Sequence, residues 1–211
     1  MIKALLLIFD PAATWEGIMR ARRSLTFILF VYLCPFLLFV FAVEGYGLIH
    51  WGKVQGLGGR PHLFTTGEAI IIESTQFLVS MGLIFLGATL VKSIGETFHG
   101  RHTLTQAFAA VAYGLGPLFL LRLGDSFSTD PVWVPWVTFS IGILLCTGVL
   151  YHGVPRMMEP DPSHAFGLFL MSSLLLLLIT GLFRFVTSWY LRGKFTTLEA
   201  SVIALARRLP F

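Results

Sequence analysis

Charge is what this chain has least of. Only 12% of its 211 residues are Asp, Glu, Lys or Arg, against 55% hydrophobic ones, and the mean hydropathy is +0.80. That balance excludes an ordinary soluble domain. Cysteine is nearly absent. Cys34 and Cys146 both fall inside apolar runs, which leaves neither a disulfide framework nor a Cys/His metal pattern. Catalytic signatures are missing too: there are no paired carboxylates, no HExxH, GxSxG or P-loop, so no enzyme is expected. The nearest metal-like pattern, His99-x-x-His102, has no acidic third ligand nearby, and the loop residues His50 and His62 lack one as well. No metal and no cofactor are expected. A secretory leader is not expected either, because the apolar stretch from Ala4 to Phe9 is short and Asp10-Pro11 breaks it. The net charge is +4, but no basic run is interleaved with aromatics as a nucleic-acid groove requires. Cations that flank membrane spans explain the surplus.

What is present is apolar length. Five runs of about 18 or more residues without charge read as transmembrane helices, expected over residues 24–43, 68–93, 104–121, 132–151 and 165–184. The fold class is all-α: a polytopic transmembrane bundle of five spans with an interfacial amphipathic helix at each end. Residues 1–23 form the first of these, 24–187 the membrane domain and 188–211 the amphipathic tail. A sharp turn, Leu150 to Phe166, holds three prolines between two spans.

Within this frame the chain carries local signals. Asp10 can cap a helix that begins at Pro11. Trp15, Arg20, Arg22 and Arg23 place that helix at the lipid headgroups, with Glu16 and Arg20 as an i, i+4 pair. Pro35 should kink the first span. Glu44 to Gly67 reads as a long glycine-rich loop, and Thr65 with Glu68 as a capping box. Glu73, Gln76 and Ser80 share one face of the second span at i, i+3, i+7, and an ionisable group inside a span is a functional candidate; the plainer alternative is a shallow carboxylate reaching water or an arginine. Ala110/Gly114 and Ala112/Gly116 are small-xxx-small pairs for close helix packing, followed by the helix breaker Pro117. Trp133 and Trp136 anchor the start of the fourth span, and Arg184 can snorkel to the headgroups after the fifth. In the tail, Thr196 and Glu199 match a capping box ahead of the stripe Leu198, Val202, Leu205 and Leu209, with Arg207 and Arg208 at its end.

With the N-terminus inside, Lys3, Arg20, Arg22, Arg23, Lys92, Arg101 and Arg156 fall on the inner side and Lys53, Arg60 and Arg122 on the outer. This favours a cytoplasmic N-terminus and an outer C-terminus, although the basic tail runs against the second half of that assignment. A bacterial inner membrane is the expected location.

Four motifs in order carry a family resemblance. They are Asp10-Pro11 with Thr14-Trp15-Glu16-Gly17-Ile18, Tyr32 with Pro35, Ala112-Tyr113-Gly114-Leu115-Gly116-Pro117, and Gly153-Val154-Pro155-Arg156-Met157-Met158. Together with five spans they resemble the Yip domain family over about residues 5 to 187, as a prokaryotic-type member. The resemblance implies a helical bundle with a cytoplasmic N-terminus and no established catalytic residues. Eukaryotic members are named for interacting with Ypt/Rab GTPases. Their role in traffic is not carried over, because this chain has no counterpart of their long N-terminal region.

Three functions fit the sequence. The first is a non-enzymatic scaffold or accessory subunit that meets membrane lipids and other membrane proteins through its small-residue faces and its tail. The second is a transporter or lipid-handling protein centred on Glu73. The third is a pigment- or haem-contacting subunit of a bioenergetic complex, for which His152 and His164 are the candidates.

Overall fold

The computed structural model describes residues 2–54, 61–98, 102–127 and 134–191. Two short helices come first, α1 (Ile2–Phe9) and α2 (Pro11–Ala21). Five helices long and apolar enough to cross a membrane follow: Leu25–His50, Thr66–Thr97, Leu104–Gly124, Val134–Met158 and Ala165–Leu191, here spans 1 to 5. The shortest has 21 residues, about 31 Å at 1.5 Å per residue, which matches a hydrocarbon core of about 30 Å. Between spans 1 and 2, β1 (Lys53–Val54) pairs antiparallel with β2 (Pro61–His62), Lys53 opposite His62.

The helix starts are chemically marked. Asp10 accepts from the Ala13 amide at 3.1 Å, with Pro11 in the first turn. Thr65 and Glu68 form the expected capping box, and span 2 begins at Thr66. A second box, Thr103 with Gln106, starts span 3. The prolines act in three different ways. Ahead of Pro35, span 1 widens into a π-turn over Ile28–Leu33, and the Cys34 amide donates back to the Leu29 carbonyl. Pro117 divides span 3 into Leu104–Gly114 and Gly116–Ser126. Pro155 is carried inside span 4, which runs on to Met158. The turn expected over Leu150 to Phe166 is therefore confined to residues 159–164, opening with Glu159 at φ 44.

The first half of span 3 is the axis of the bundle. Every residue from Ala107 to Gly114 is buried, and spans 1, 2 and 4 pack around it while span 5 lies across spans 2 and 4. The small-residue pairs serve this packing. A Cβ at Gly114 would run into the Leu150 side chain, and one at Gly116 would stand 3.0 Å from the Tyr32 hydroxyl and 3.2 Å from Ala4. Ala110 and Ala112 are fully buried beside them. Large apolar side chains such as Leu144, Leu178 and Leu182 point outward, as lipid-facing surface requires.

One expectation at the N-terminus is corrected. Trp15 does not lie among headgroups. It is fully buried, its indole Nε1 donates to the Val149 carbonyl at 2.9 Å, and its ring stands edge-on to Tyr113 at 6.3 Å. The reason is Gly153: the indole occupies the place where a Cβ on span 4 would be. Arg20, Arg22 and Arg23 are exposed around it, Arg20 paired with Glu16 at 3.3 Å. The expected tail helix, Trp133 and His99 lie outside the described residues.

Candidate functional site

Span 2 turns Glu73, Gln76 and Ser80 inward, and all three are buried. They meet two charged residues that the uncharged runs leave outside the spans, Glu44 from span 1 and Arg122 from span 3. The Glu44 Oε2 lies 2.8 Å from Arg122 Nη2. The same nitrogen donates to Gln76 Oε1, and Gln76 Nε2 donates to Glu73 Oε1 at 3.3 Å. The Arg122 guanidinium also sits over the Phe41 ring, 4.8 Å from its centroid. The result is a polar chain, Glu44–Arg122–Gln76–Glu73, that ties three spans together.

Both missed residues belong to apolar helix faces. Phe41, Glu44 and Leu48 fall at i, i+3, i+7, and all are buried. Leu115, Leu118, Phe119 and Arg122 fall at i, i+3, i+4, i+7, and all are buried. That periodicity is the signal that carries them, whereas a charge at the edge of an apolar run reads as the end of a span. Gly45 and Gly47 looked like loop residues and are instead points of close approach. A Cβ at Gly45 would come 3.2 Å from Glu73 Cγ, and one at Gly47 would overlap the backbone of Ser126. Span 1 therefore continues past Val43 to His50, and the second half of span 3 reaches Ser126.

The cluster holds two carboxyl groups and one guanidinium. A neutral cluster needs one further positive charge at the second carboxyl, from a proton, a bound cation or Lys53, whose charge acts on Glu73. Buried polar atoms are normally satisfied, yet Glu73 Oε2, Ser80 Oγ, Arg122 Nε and Ser126 Oγ have no hydrogen-bond partner among the described residues. Toward the near end of the bundle, Leu48, Phe64, Ala69 and Ile72 form a small apolar layer of their own. Sideways, a groove of about 550 Å³ opens between spans 1 and 2. Its walls include Phe41, Ala42 and Phe77, its rim the exposed Leu38, Ile70 and Leu78, and among the described residues Glu73 is the one charged residue lining it. On the other flank of Arg122 is a narrow crevice bordered by Ser80, Thr180 and Arg184. Arg184, expected at the headgroups, is half-buried there.

The remaining candidates stand apart from this cluster. His152 is half-buried against Tyr151, ring centroids 5.3 Å apart, and the exposed His164 lies 6.0 Å from the Phe98 ring. Among the described residues no group of three His, Cys, Asp or Glu could hold a metal ion. His102 instead bonds the Lys92 carbonyl at 3.0 Å through Nε2.

The four motifs behind the family resemblance converge in space. Tyr113 packs on Tyr32 with centroids 4.2 Å apart and meets the edge of Trp15, which fills the slot at Gly153. Neither a curated protein nor a solved structure matches the chain. The family model of the Yip1 domain matches residues 5–205. The chain is an integral membrane protein of the Yip1 domain family.

Proposed function

We propose that this is a non-enzymatic membrane protein that admits an amphiphile laterally from the bilayer into the groove between spans 1 and 2, where Glu73 receives its polar, cationic end. One observation carries the reading. A buried carboxylate with one unpartnered oxygen lines an apolar groove whose rim is exposed where lipid would lie. An ammonium-bearing lipid adds positive charge at Glu73, where the Lys53 charge also acts, while its chain fits the apolar walls. Ionisable groups inside a membrane domain are costly, and they mark binding or transfer sites.

The scaffold reading has less to support it. Ala110, Ala112, Gly114 and Gly116, its proposed interaction face, are buried within the fold. The test is labelling with a photoactivatable phosphatidylethanolamine in liposomes. The expected result is crosslinks within residues 38–49 and 69–78 that Ala42→Trp suppresses, and that Glu73→Gln weakens for the ethanolamine lipid. Labelling spread evenly over the outer surface at Leu144 and Leu178, and unchanged by Ala42→Trp, would refute it.

A further inference from the structure

A second cavity, at the opposite end of the bundle and independent of the groove, has a different chemistry. It encloses about 480 Å³ between α2, the start of span 3 and the end of span 4. Three arginines line it: Arg22 and Arg23 just after α2, and Arg156 in the last turn of span 4. Among the described residues none of the three is in an ion pair. Arg156 donates to the His152 carbonyl at 3.4 Å, and Arg23 lies over the Phe27 ring at 4.4 Å. Among the described residues Glu159 is the one acid in the lining, which leaves them a formal surplus of two positive charges (three minus one).

The rest of the lining completes an anion site. Thr105 and Gln106 contribute polar side chains from the first turn of span 3, where the helix dipole also favours negative charge. The Thr103–Gln106 capping box serves the Thr103 and Gln106 amides and leaves those of Leu104 and Thr105 without an acceptor inside the helix. Arg22 is held at φ 40 as the left-handed cap of α2, a strained conformation for a non-glycine residue. Positive charge is crowded at this end. Partial burial, and then the nearby Arg23, hold the Lys3 ammonium below its usual range, and that amine sits over the Tyr113 ring at the cavity wall, 5.8 Å from its centroid. Ile18 and Met19 form an apolar side, suited to the glycerol and upper chain of a lipid.

We infer that this cavity binds a phosphate monoester through Arg22, Arg23 and Arg156, as the headgroup of an anionic lipid or as a soluble phosphate. A dianionic phosphate matches the surplus charge, and the planar guanidinium fork suits its oxygens. The test uses the full-length protein in mild detergent at about 150 mM salt, where surface attraction is screened. Dioctanoyl phosphatidate is titrated with thermal stability as the readout, and inorganic phosphate and glycerol 3-phosphate are titrated in parallel.

Phosphatidate is expected to raise the melting temperature saturably. Arg23→Gln and Arg156→Gln should each weaken it at least about tenfold, and Arg20→Gln, whose side chain is 82% exposed and paired with Glu16, should leave it unchanged. A response to phosphatidate alone assigns the site to lipid; an equal response to the soluble phosphates assigns it to a soluble ligand. Native mass spectrometry of the wild-type protein, comparing retained phosphatidate with phosphatidylcholine, keeps the test open should a variant fail to fold. No saturable response to any of the three, an undiminished response in both variants, or equal retention of the two lipids would overturn the inference.

Discussion

Replacing Arg122 by Met isolates the most buried ion pair among the described residues. The Arg122–Glu44 pair is 2.8 Å apart, and its side chains are 8% and 6% exposed respectively. At an effective dielectric of 20, that separation corresponds to about 6 kcal/mol of attraction. Desolvating both ions offsets most of this, so the intact pair is nearly neutral in net stability. Removing one partner is a different matter, because Glu44 is then buried without compensation, a loss of about 3 to 5 kcal/mol. Gln76 loses the same guanidinium, for about 1 kcal/mol more. For a chain of this length each kcal/mol moves the melting temperature by roughly 2 to 4 °C, so Arg122→Met is expected to lower it by at least about 8 °C in mild detergent. Adding Glu44→Gln to Arg122→Met removes the stranded carboxylate and should return about half of the loss. Strictly additive effects of the two substitutions, or a drop below about 3 °C for Arg122→Met, would refute the account of a coupled buried cluster.

Three further outcomes follow from packing and capping. Gly153→Ala puts a methyl group where the Trp15 indole lies and should cost about 1 to 3 kcal/mol, seen as a lower melting temperature and easier proteolysis within α2. Trp15→Phe removes the 2.9 Å bond to Val149 and part of the ring volume, for a loss of about 2 kcal/mol in the same assay; no loss would show that the indole bond contributes nothing. Thr103→Ala deletes half of the capping box that opens span 3 and should cost about 1 kcal/mol, read as faster amide exchange confined to that first turn.

The spans were legible because a membrane helix needs an unbroken apolar stretch, and five such stretches stand out in the sequence. Glu73, Gln76 and Ser80 were legible as one helical face, since their spacing is local. Glu44 and Arg122 were not, because their meaning depends on a contact between residues far apart in the chain. Each reads as the border of a span, and only the partner makes burial of the other tolerable. Trp15 misled for a similar reason. An aromatic beside arginines fits the interface equally well until Gly153, in a distant span, supplies a slot for it. The prolines were legible as interruptions but not in their outcome: whether a helix widens, breaks or carries the ring through is decided by what its neighbours do with the freed carbonyl.

The indole bond also sets a clock on biogenesis. Trp15 and Val149 are 134 positions apart, so at 5 to 20 residues per second the N-terminal helix leaves the ribosome roughly 7 to 27 seconds before its acceptor is synthesised. During that interval α2 has no slot in which to store its tryptophan, and the bilayer surface, flanked by the helix's own arginines, is the natural holding place. A nascent chain halted after span 3 should therefore keep Trp15 open to a membrane-surface quencher, and one released after span 4 should hide it.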